Sequence, residues 1–283
     1  MKEFDFTKIQ AAGNDFICVD GGRIEIGVFS KENIVNLCDR RLGIGADGLI
    51  YLSLNEEKHP AMAYFNADGS RGEMCGNGLR AAVLFAFKIG LLQTGIEQIV
   101  AADDGPHRVM LKNPEEIQVE MFLWPDNSKI PLENLELPRG SLALGFLNTG
   151  VPHLVLEIYA EITKGDLLKW GKRLRYDAAF QPQGTNVNFL RIISDNKVFV
   201  RTYERGVEDE TLSCGSGVTA SALMYWQKFG KDLENLDVQT PGGSLTVSRL
   251  NGNLFLKGPA RMVYEGRFTD NKSIDNIISG DQK

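Results

Sequence analysis

The sequence predicts an α/β fold of the α+β kind, with two pseudo-symmetric lobes, each a strand-wrapped central helix, and a site in the cleft between them. Three observations predict it: an internal duplication, a strand-rich pattern of short apolar runs, and two helix-like segments that are apolar on nearly every side. The duplicated units are CGNGLRAAVLFAFKIG (75–90) and CGSGVTASALMYWQKFG (214–230). Each runs Cys-Gly-polar-Gly, then an apolar helical stretch, then a glycine suited to a left-handed C-terminal cap. The likeness continues downstream, where IVAADDGPHRVML and VQTPGGSLTV both set a glycine turn between strand-like runs, about 30 residues past their cysteine. A repeat that occurs twice, at a period near half the chain, describes paired lobes and not a solenoid.

The strand signals are short runs rich in Val, Ile, Phe and Tyr, bounded by Gly, Asn and Asp. They fall at 16–19, 63–65, 118–122, 154–158, 198–203 and 254–256. A helix is predicted after Ser30, where Ile34, Leu37 and Cys38 take the i, i+3, i+4 spacing of one face. The first duplicated helix carries Leu79, Ala82, Val83, Ala86 and Phe87 on one face, with Leu84 and Phe85 opposite. A helix apolar all round has to be covered on most sides. It is therefore expected to run through the centre of its lobe, with its N-terminus pointing into the cleft.

At 283 residues the chain has room for one large domain or two modest ones. Its 43% hydrophobic and 24% charged residues are those of an ordinary globular protein. A net charge of −6 without a Lys/Arg cluster argues against nucleic-acid partners, since phosphate binding depends on clustered cations. No window approaches the roughly 18 apolar residues of a membrane helix, and MKEFDFTKIQ lacks the apolar core of a secretion signal. A cytoplasmic protein with no membrane partner is the expectation. The four cysteines, at 18, 38, 75 and 214, form no CxxC pair for zinc or redox work, and no metal site is expected. Cys18, between Ile17 and Val19, and Cys38, on its helix face, read as core residues.

Cys75 and Cys214 read differently. A thiol at a helix N-terminus can be lowered from its ordinary pKa of about 8.5 towards neutrality. Glycines beside it have no Cβ, so backbone N–H groups can close on an anion. Two such termini facing each other can hold one carboxylate and set one sulfur on each face of its α-carbon. That is the geometry of racemisation by two bases, with the carbanion's charge passing into a carboxylate held by N–H donors. A thiol peroxidase or redox sensor would explain reactive thiols but not the paired glycines. A non-catalytic solute-binding protein has no use for a thiol at both helix starts. The Gly-rich run RLGIGADG (41–48) lacks the GK[ST] ending of a phosphate loop and reads as a turn near the site.

With these pieces set out, the chain resembles the diaminopimelate epimerase family. The resemblance rests on GNDF (13–16), FNADGSRGEMCGNGLR (65–80), PHLV (152–155), TNVNF (185–189), YERG with CGSG (203–217) and PGGSL (241–245), in order across essentially the whole chain. It implies a cofactor-independent enzyme, often a homodimer, that converts LL-diaminopimelate to the meso form on the lysine and peptidoglycan route. It implies an N-terminal lobe of residues 1–119 plus about 264–283, carrying Cys75, and a C-terminal lobe of residues 120–263, carrying Cys214. By resemblance Cys75 and Cys214 are the two bases, and His153 and Glu204 influence their ionisation. Gly76, Asn77, Gly215 and Ser216 would offer backbone donors to the α-carboxylate. Asn14, Asn66, Asn186, Glu204 and Arg205 match substrate-binding positions, and Tyr264 matches a tyrosine of the dimer interface. Arg205 would pair with the distal carboxylate and Glu204 would accept from the distal ammonium.

The chain departs from the family's pattern in places. It reads GVPH where the family often has GNPH, so Val151 replaces a substrate-contacting Asn, with Thr149 a candidate to supply the contact. Gly48 stands where some members carry Gln. These departures keep a second reading open, a related cofactor-independent amino-acid racemase with a different substrate.

Overall fold

The computed structural model describes residues 3–123, 130–230 and 233–269. Strands β1 (Phe4–Ala11) and β2 (Asn14–Asp20) form a hairpin. The Ser30 hydroxyl caps α1 (Lys31–Cys38), accepting from Asn33 N–H at 3.3 Å. That helix returns the chain to β3 (Gly48–Leu54), which lies parallel to β2, and β4 (Pro60–Asn66) turns back against β3. The central helix α2 (Gly76–Lys88) then crosses to β5 (Glu97–Ala102), parallel to β4, and β6 (Gly105–Asn113) and β7 (Glu116–Met121) complete a meander. Parallel neighbours need a crossover of this kind, and a helix is the usual one.

The second half repeats the plan. It runs through β8 (Ser141–Asn148), β9 (Pro152–Ile158), α3 (Lys164–Arg175), β10 (Asn186–Ser194) and β11 (Lys197–Glu204). A short β12 (Asp209–Thr211) pairs with β11 before the second central helix, α4 (Gly215–Phe229). Then follow β13 (Asn235–Thr240), β14 (Gly243–Leu250), β15 (Asn253–Gly258) and β16 (Arg261–Phe268). The parallel pairs β9–β10 and β11–β13 are bridged by α3 and α4, as β2–β3 and β4–β5 are by α1 and α2. The two glycine turns read from sequence are equivalent hairpins. Gly105 has φ 133° and Gly243 has φ 132°, a conformation closed to most side chains.

The halves are joined in a single sixteen-stranded sheet, because β7 pairs antiparallel with β15. β16 crosses back to lie against β1, from Phe4 opposite Phe268 to Gln10 opposite Arg261. The expected return of the chain end from about Tyr264 is described as far as Thr269, and residues 270–283 lie outside the described residues.

Strands wrap both central helices, so apolar side chains on every face find cover. Each residue of α2 from Gly76 to Ala86 is buried. Burying each large apolar side chain there contributes roughly 1.5–3 kcal/mol. Phe87, expected on the covered face, is 42% exposed, because it lies in the last turn where the helix leaves the wrapped zone. Outside the wrap, α1 packs Ile34, Leu37 and Cys38 on Leu49 and Tyr51, and α3 packs Leu167 and Leu174 on Leu154 and Phe189. Cys18 and Cys38 are buried core thiols, as read from sequence. Among the described residues no helix is long and apolar enough to cross a membrane.

Candidate active site

The two central helices meet at their N-termini. A Cβ placed on Gly215 would lie 3.2 Å from the Gly76 Cα and 3.3 Å from the Asn77 amide nitrogen. The missing Cβ at Gly215 permits this approach, while one on Gly76 would crowd Leu256 at 3.0 Å. Cys75 is the N-cap of α2 and Cys214 the N-cap of α4, both with extended backbone. The first helical bonds are made by Leu79 N–H to the Cys75 carbonyl and by Val218 N–H to the Cys214 carbonyl, both at 2.8 Å. The N–H groups of the first turn therefore have no acceptor within their helix. Those of Gly76, Asn77, Gly215 and Ser216 are available to an anion, with the positive ends of both helix dipoles behind them.

A cavity of about 370 Å³ opens here. Its wall includes Asn14, Asn66, Cys75, Gly76, Asn77, Asn186, Glu204, Arg205, Cys214, Gly215 and Ser216. His153 lies behind this wall, fully buried, and Tyr264 lies away from it on β16 with 45% of its surface exposed. A larger groove of about 840 Å³ runs along β1, β16 and the end of α2, but no cysteine, asparagine or histidine lines it.

Several of these side chains are committed to the scaffold. Asn77 Nδ2 donates to Asn14 Oδ1 at 2.6 Å and to the Ser213 carbonyl at 3.0 Å, so it ties the lobes together beside Cys214. Its backbone is what remains for a ligand. Asn14 Nδ2 donates to Asp47 Oδ2 at 3.1 Å. Asp47 belongs to a charge cluster in which Arg40 grips both Asp15 and Asp47, and the buried Lys8 pairs with Asp15 at 2.7 Å. Burial opposes ionisation of Asp15, yet the Arg40 and Lys8 bonds outweigh it and hold its carboxyl down at about 2. The RLGIGADG turn thus serves to orient Asn14. Asn186 accepts from Arg205 N–H at 2.8 Å and donates to the Pro152 carbonyl at 3.1 Å, and Asn66 donates to Ser70 Oγ at 3.0 Å.

Burial pushes the Cys75 thiol up to about 11, against the pull of the Gly78 N–H that meets its sulfur at 3.3 Å. Burial raises the Cys214 thiol further, with the Glu204 charge adding to it. The lowering expected from the helix starts is present but outweighed by loss of water around both sulfurs. Glu204 is itself raised to about 7, chiefly by burial. His153 is held down to about 3 by burial, with the Arg205 charge adding, so its ring is neutral.

A family model described as "Diaminopimelate epimerase" matches residues 6–121 and 145–263. The diaminopimelate epimerase of Flavobacterium psychrophilum is 38% identical over 266 residues, covering 91% of this chain and 97% of its own. That of Aquifex aeolicus is 36% identical over 279 residues, with 94% and 98% covered. The chain belongs to the diaminopimelate epimerase family. Among solved structures, a phenazine biosynthesis protein of the PhzF family from Bacillus anthracis has the same fold at 14% identity, with TM-score 0.67 and 95% and 100% of the chains covered. A probable proline racemase from Agrobacterium radiobacter does too, also at 14% and 0.67, with 94% and 93% covered.

Against the diaminopimelate epimerase pattern, the departures have physical reasons. A Cβ on Gly48 would lie 2.4 Å from the Phe65 carbonyl and 2.6 Å from the Tyr64 ring, so no glutamine fits, and Tyr64 lines the cavity instead. Val151 lines the cavity, but Thr149 does not stand in for the lost Asn. It is buried, and its hydroxyl donates to the Ser216 carbonyl at 3.0 Å.

Sequence reasoning missed four residues here. Glu73, two residues before Cys75, bonds Arg205 Nη2 at 2.5 Å across the cleft, so the fork expected to take a substrate carboxylate already holds one. Arg80 is fully buried, donating to the Gly76 carbonyl at 3.2 Å and to Asn77 Oδ1 at 2.7 Å. Among the described residues no carboxylate pairs with it; burial lowers it to about 10 while Cys75 pulls the other way. Asn188 and Tyr64 complete the set. An arginine within an apolar helical run was the one legible signal, because burying a guanidinium is costly without a purpose.

Proposed function

We propose that this chain interconverts LL- and meso-diaminopimelate by moving the α-proton between two thiols, Cys75 and Cys214. The observation that carries this reading is the contact of two cysteine-capped helix starts in one cavity, with Glu204 and Arg205 on the same wall. The α-carboxylate sits between the helix starts, taking the N–H groups of Gly76, Asn77, Gly215 and Ser216. One sulfur, as thiolate, removes the α-proton, and its S–H bond forms as the C–H bond breaks. The electron pair passes into the carboxylate, whose added charge the N–H groups and helix dipoles stabilise more than they do the ground state. The opposite thiol gives its proton to the other face of the carbon and becomes the thiolate. Reversal of roles serves the other isomer. A substrate ammonium beside the sulfurs favours the thiolate and so offsets the effect of burial.

The distal amino acid falls to Glu204 and Arg205, with Asn14, Asn66 and Asn186 shaping the pocket. His153 and Glu204 tune the thiols. No cofactor enters these steps. The N-terminal lobe comprises residues 1–119 and the segment from about Tyr264, and the C-terminal lobe residues 120–263. A homodimer would form through the edge strand β16, where Met262, Val263 and Tyr264 are exposed. The setting is cytoplasmic, on the lysine and peptidoglycan route.

Val151 favours keeping one alternative, a racemase of a different amino acid, because an apolar wall replaces a polar contact. Incubation with LL-diaminopimelate in deuterated water separates the two. Meso product carrying α-deuterium supports the proposal, and absence of both product and exchange refutes it.

A further inference from the structure

Resting on the reading of Cys214 as one of the two bases, we infer that Asn188 is a positioning residue that aims a chain of protons at the Cys214 sulfur. The chain runs through the ring of His153 and the hydroxyl of Ser216. Asn188 lies on β10, fully buried. Its Nδ2 donates to the Leu154 carbonyl at 3.1 Å, and its Oδ1 accepts from Thr202 Oγ1 at 2.9 Å. A flipped amide would set two oxygens against each other, so the orientation is settled. The second Nδ2 proton then faces His153 Nδ1 at 3.1 Å. That nitrogen has to be the bare one.

The rest follows from proton counting. A neutral ring without a proton on Nδ1 carries it on Nε2. Nε2–H donates to Ser216 Oγ at 3.0 Å, and the hydroxyl, its lone pair engaged, turns its own proton to Cys214 Sγ at 3.4 Å. The opposite tautomer would take the serine proton for itself and leave the sulfur without it. The hydroxyl bond favours the ionised thiol, and so opposes the burial that raises it.

The packing is built for this chain. A Cβ on Gly217 would lie 2.3 Å from Asn188 Oδ1 and 3.2 Å from His153 Cε1, so the glycine lets amide and ring sit under the first turn of α4. The charged and titratable groups facing the chain are Glu204 at the end of β11 and Cys75 at the start of α2, toward Cys214, and Arg205, toward His153. Of these, only Cys75 and Glu204 face the sulfur directly. Among the described residues the other lobe has no counterpart. At the position equivalent to Ser216 it carries Asn77, whose side chain is spent on Asn14, Ser213 and Arg80.

Two measurements on the full chain test this. Nitrogen-15 NMR of the histidine rings is tractable with three histidines, His153 being assigned by its loss in His153→Gln. A protonated Nε2 and bare Nδ1 are expected, and a proton on Nδ1 overturns the inference. Iodoacetamide labelling of each cysteine across pH, read peptide by peptide, gives the second. Ser216→Ala is expected to move the Cys214 profile up by roughly one to two pH units, the effect of one hydrogen bond to a charged group. Asn188→Asp, whose carboxylate demands a proton on Nδ1, is expected to do the same, with Cys75 unmoved in both. An unchanged Cys214 profile in Ser216→Ala overturns the inference. Neither readout depends on turnover, so full epimerisation by Cys214→Ser would remove the two-base reading separately.

Discussion

At the start of α2, the Cys75 sulfur accepts an amide proton from Gly78 and lies in the field of the buried Arg80. At the start of α4, the Cys214 sulfur meets the Ser216 hydroxyl at 3.4 Å in addition to the pull of the Gly217 N–H. The backbone plan is duplicated, down to matching glycine turns, while the electrostatics are not. An amide of the first turn draws on each sulfur, but one thiol adds a fixed cation and the other a neutral relay. Burial raises both thiols, and the Glu204 charge adds to the effect at each. The comparison teaches that symmetry of fold delivers symmetric placement, while the side chains around each helix start give the two sulfurs unlike surroundings.

Replacing either cysteine breaks the comparison outright. Cys75→Ser and Cys214→Ser are each expected to lower epimerisation by roughly a hundred- to ten-thousand-fold, the usual worth of a general acid or base. Each retains one thiol on one face. With analogues bearing a β leaving group, the two variants are expected to eliminate from opposite stereoisomers, and a shared preference contradicts the two-thiol mechanism.

Arg80→Met tests the α2 side alone. Loss of the cation and its bonds is expected to slow epimerisation by about 10- to 100-fold, the scale of one charge-assisted bond. Cys75 labelling should shift to higher pH while Cys214 labelling stays put. Equal shifts at both thiols would show a general loss of structure.

Glu204 faces both sulfurs and sharpens the comparison through pH. Its folded pKa of about 7 stands above its ordinary 4.5, so the folded state binds the proton more tightly than the unfolded one. The sign is that stability is lost as pH rises from about 4.5 through about 7. Glu204→Gln removes that loss. Its melting temperature relative to the wild type is expected to rise between pH 5 and pH 8 by a few degrees. That corresponds to roughly 1 kcal/mol after screening by the open cleft. A constant difference across that range would remove Glu204 from the ionisation balance.

The smallest effect is expected at the bond between the lobes. Glu73 is 61% exposed where it holds Arg205, and exposed pairs are worth about 0.2–1 kcal/mol. Glu73→Gln frees the guanidinium for a ligand carboxylate. KM for diaminopimelate is expected to fall up to about five-fold with kcat unchanged, and a raised KM would mean that Glu73 helps bind substrate.

Much of this was legible in the chain. Duplication and period marked the lobes, and the pattern of 79–87, apolar on every side but for Arg80, marked a wrapped helix, because covering nearly every face requires strands around it. The cavity wall was legible through motifs, since glycines beside cysteines have a backbone purpose. What lay hidden were partners with no local signature. Glu73 reads as one more surface acid until Arg205 arrives from the other half of the chain. Asn188 reads as one strand residue among several until β9 lies parallel to β10, His153 opposite Asn186 with its ring in reach of the Asn188 amide. The raised thiols were not legible either, because desolvation depends on how completely two lobes close and not on any local motif.

The pairing of β16 with β1 sets a timetable for the molecule's birth. Phe4 stacks on Phe268 with ring centroids 5.3 Å apart, so residues more than 260 positions apart meet across the sheet's end. On the ribosome, β1 is made before β16 and waits with one edge bare until that strand follows. Contacts of such sequence separation form late and slowly. A message cut short before β16 leaves β1 without that partner, an unpaired strand edge of the kind that aggregates or is cleared.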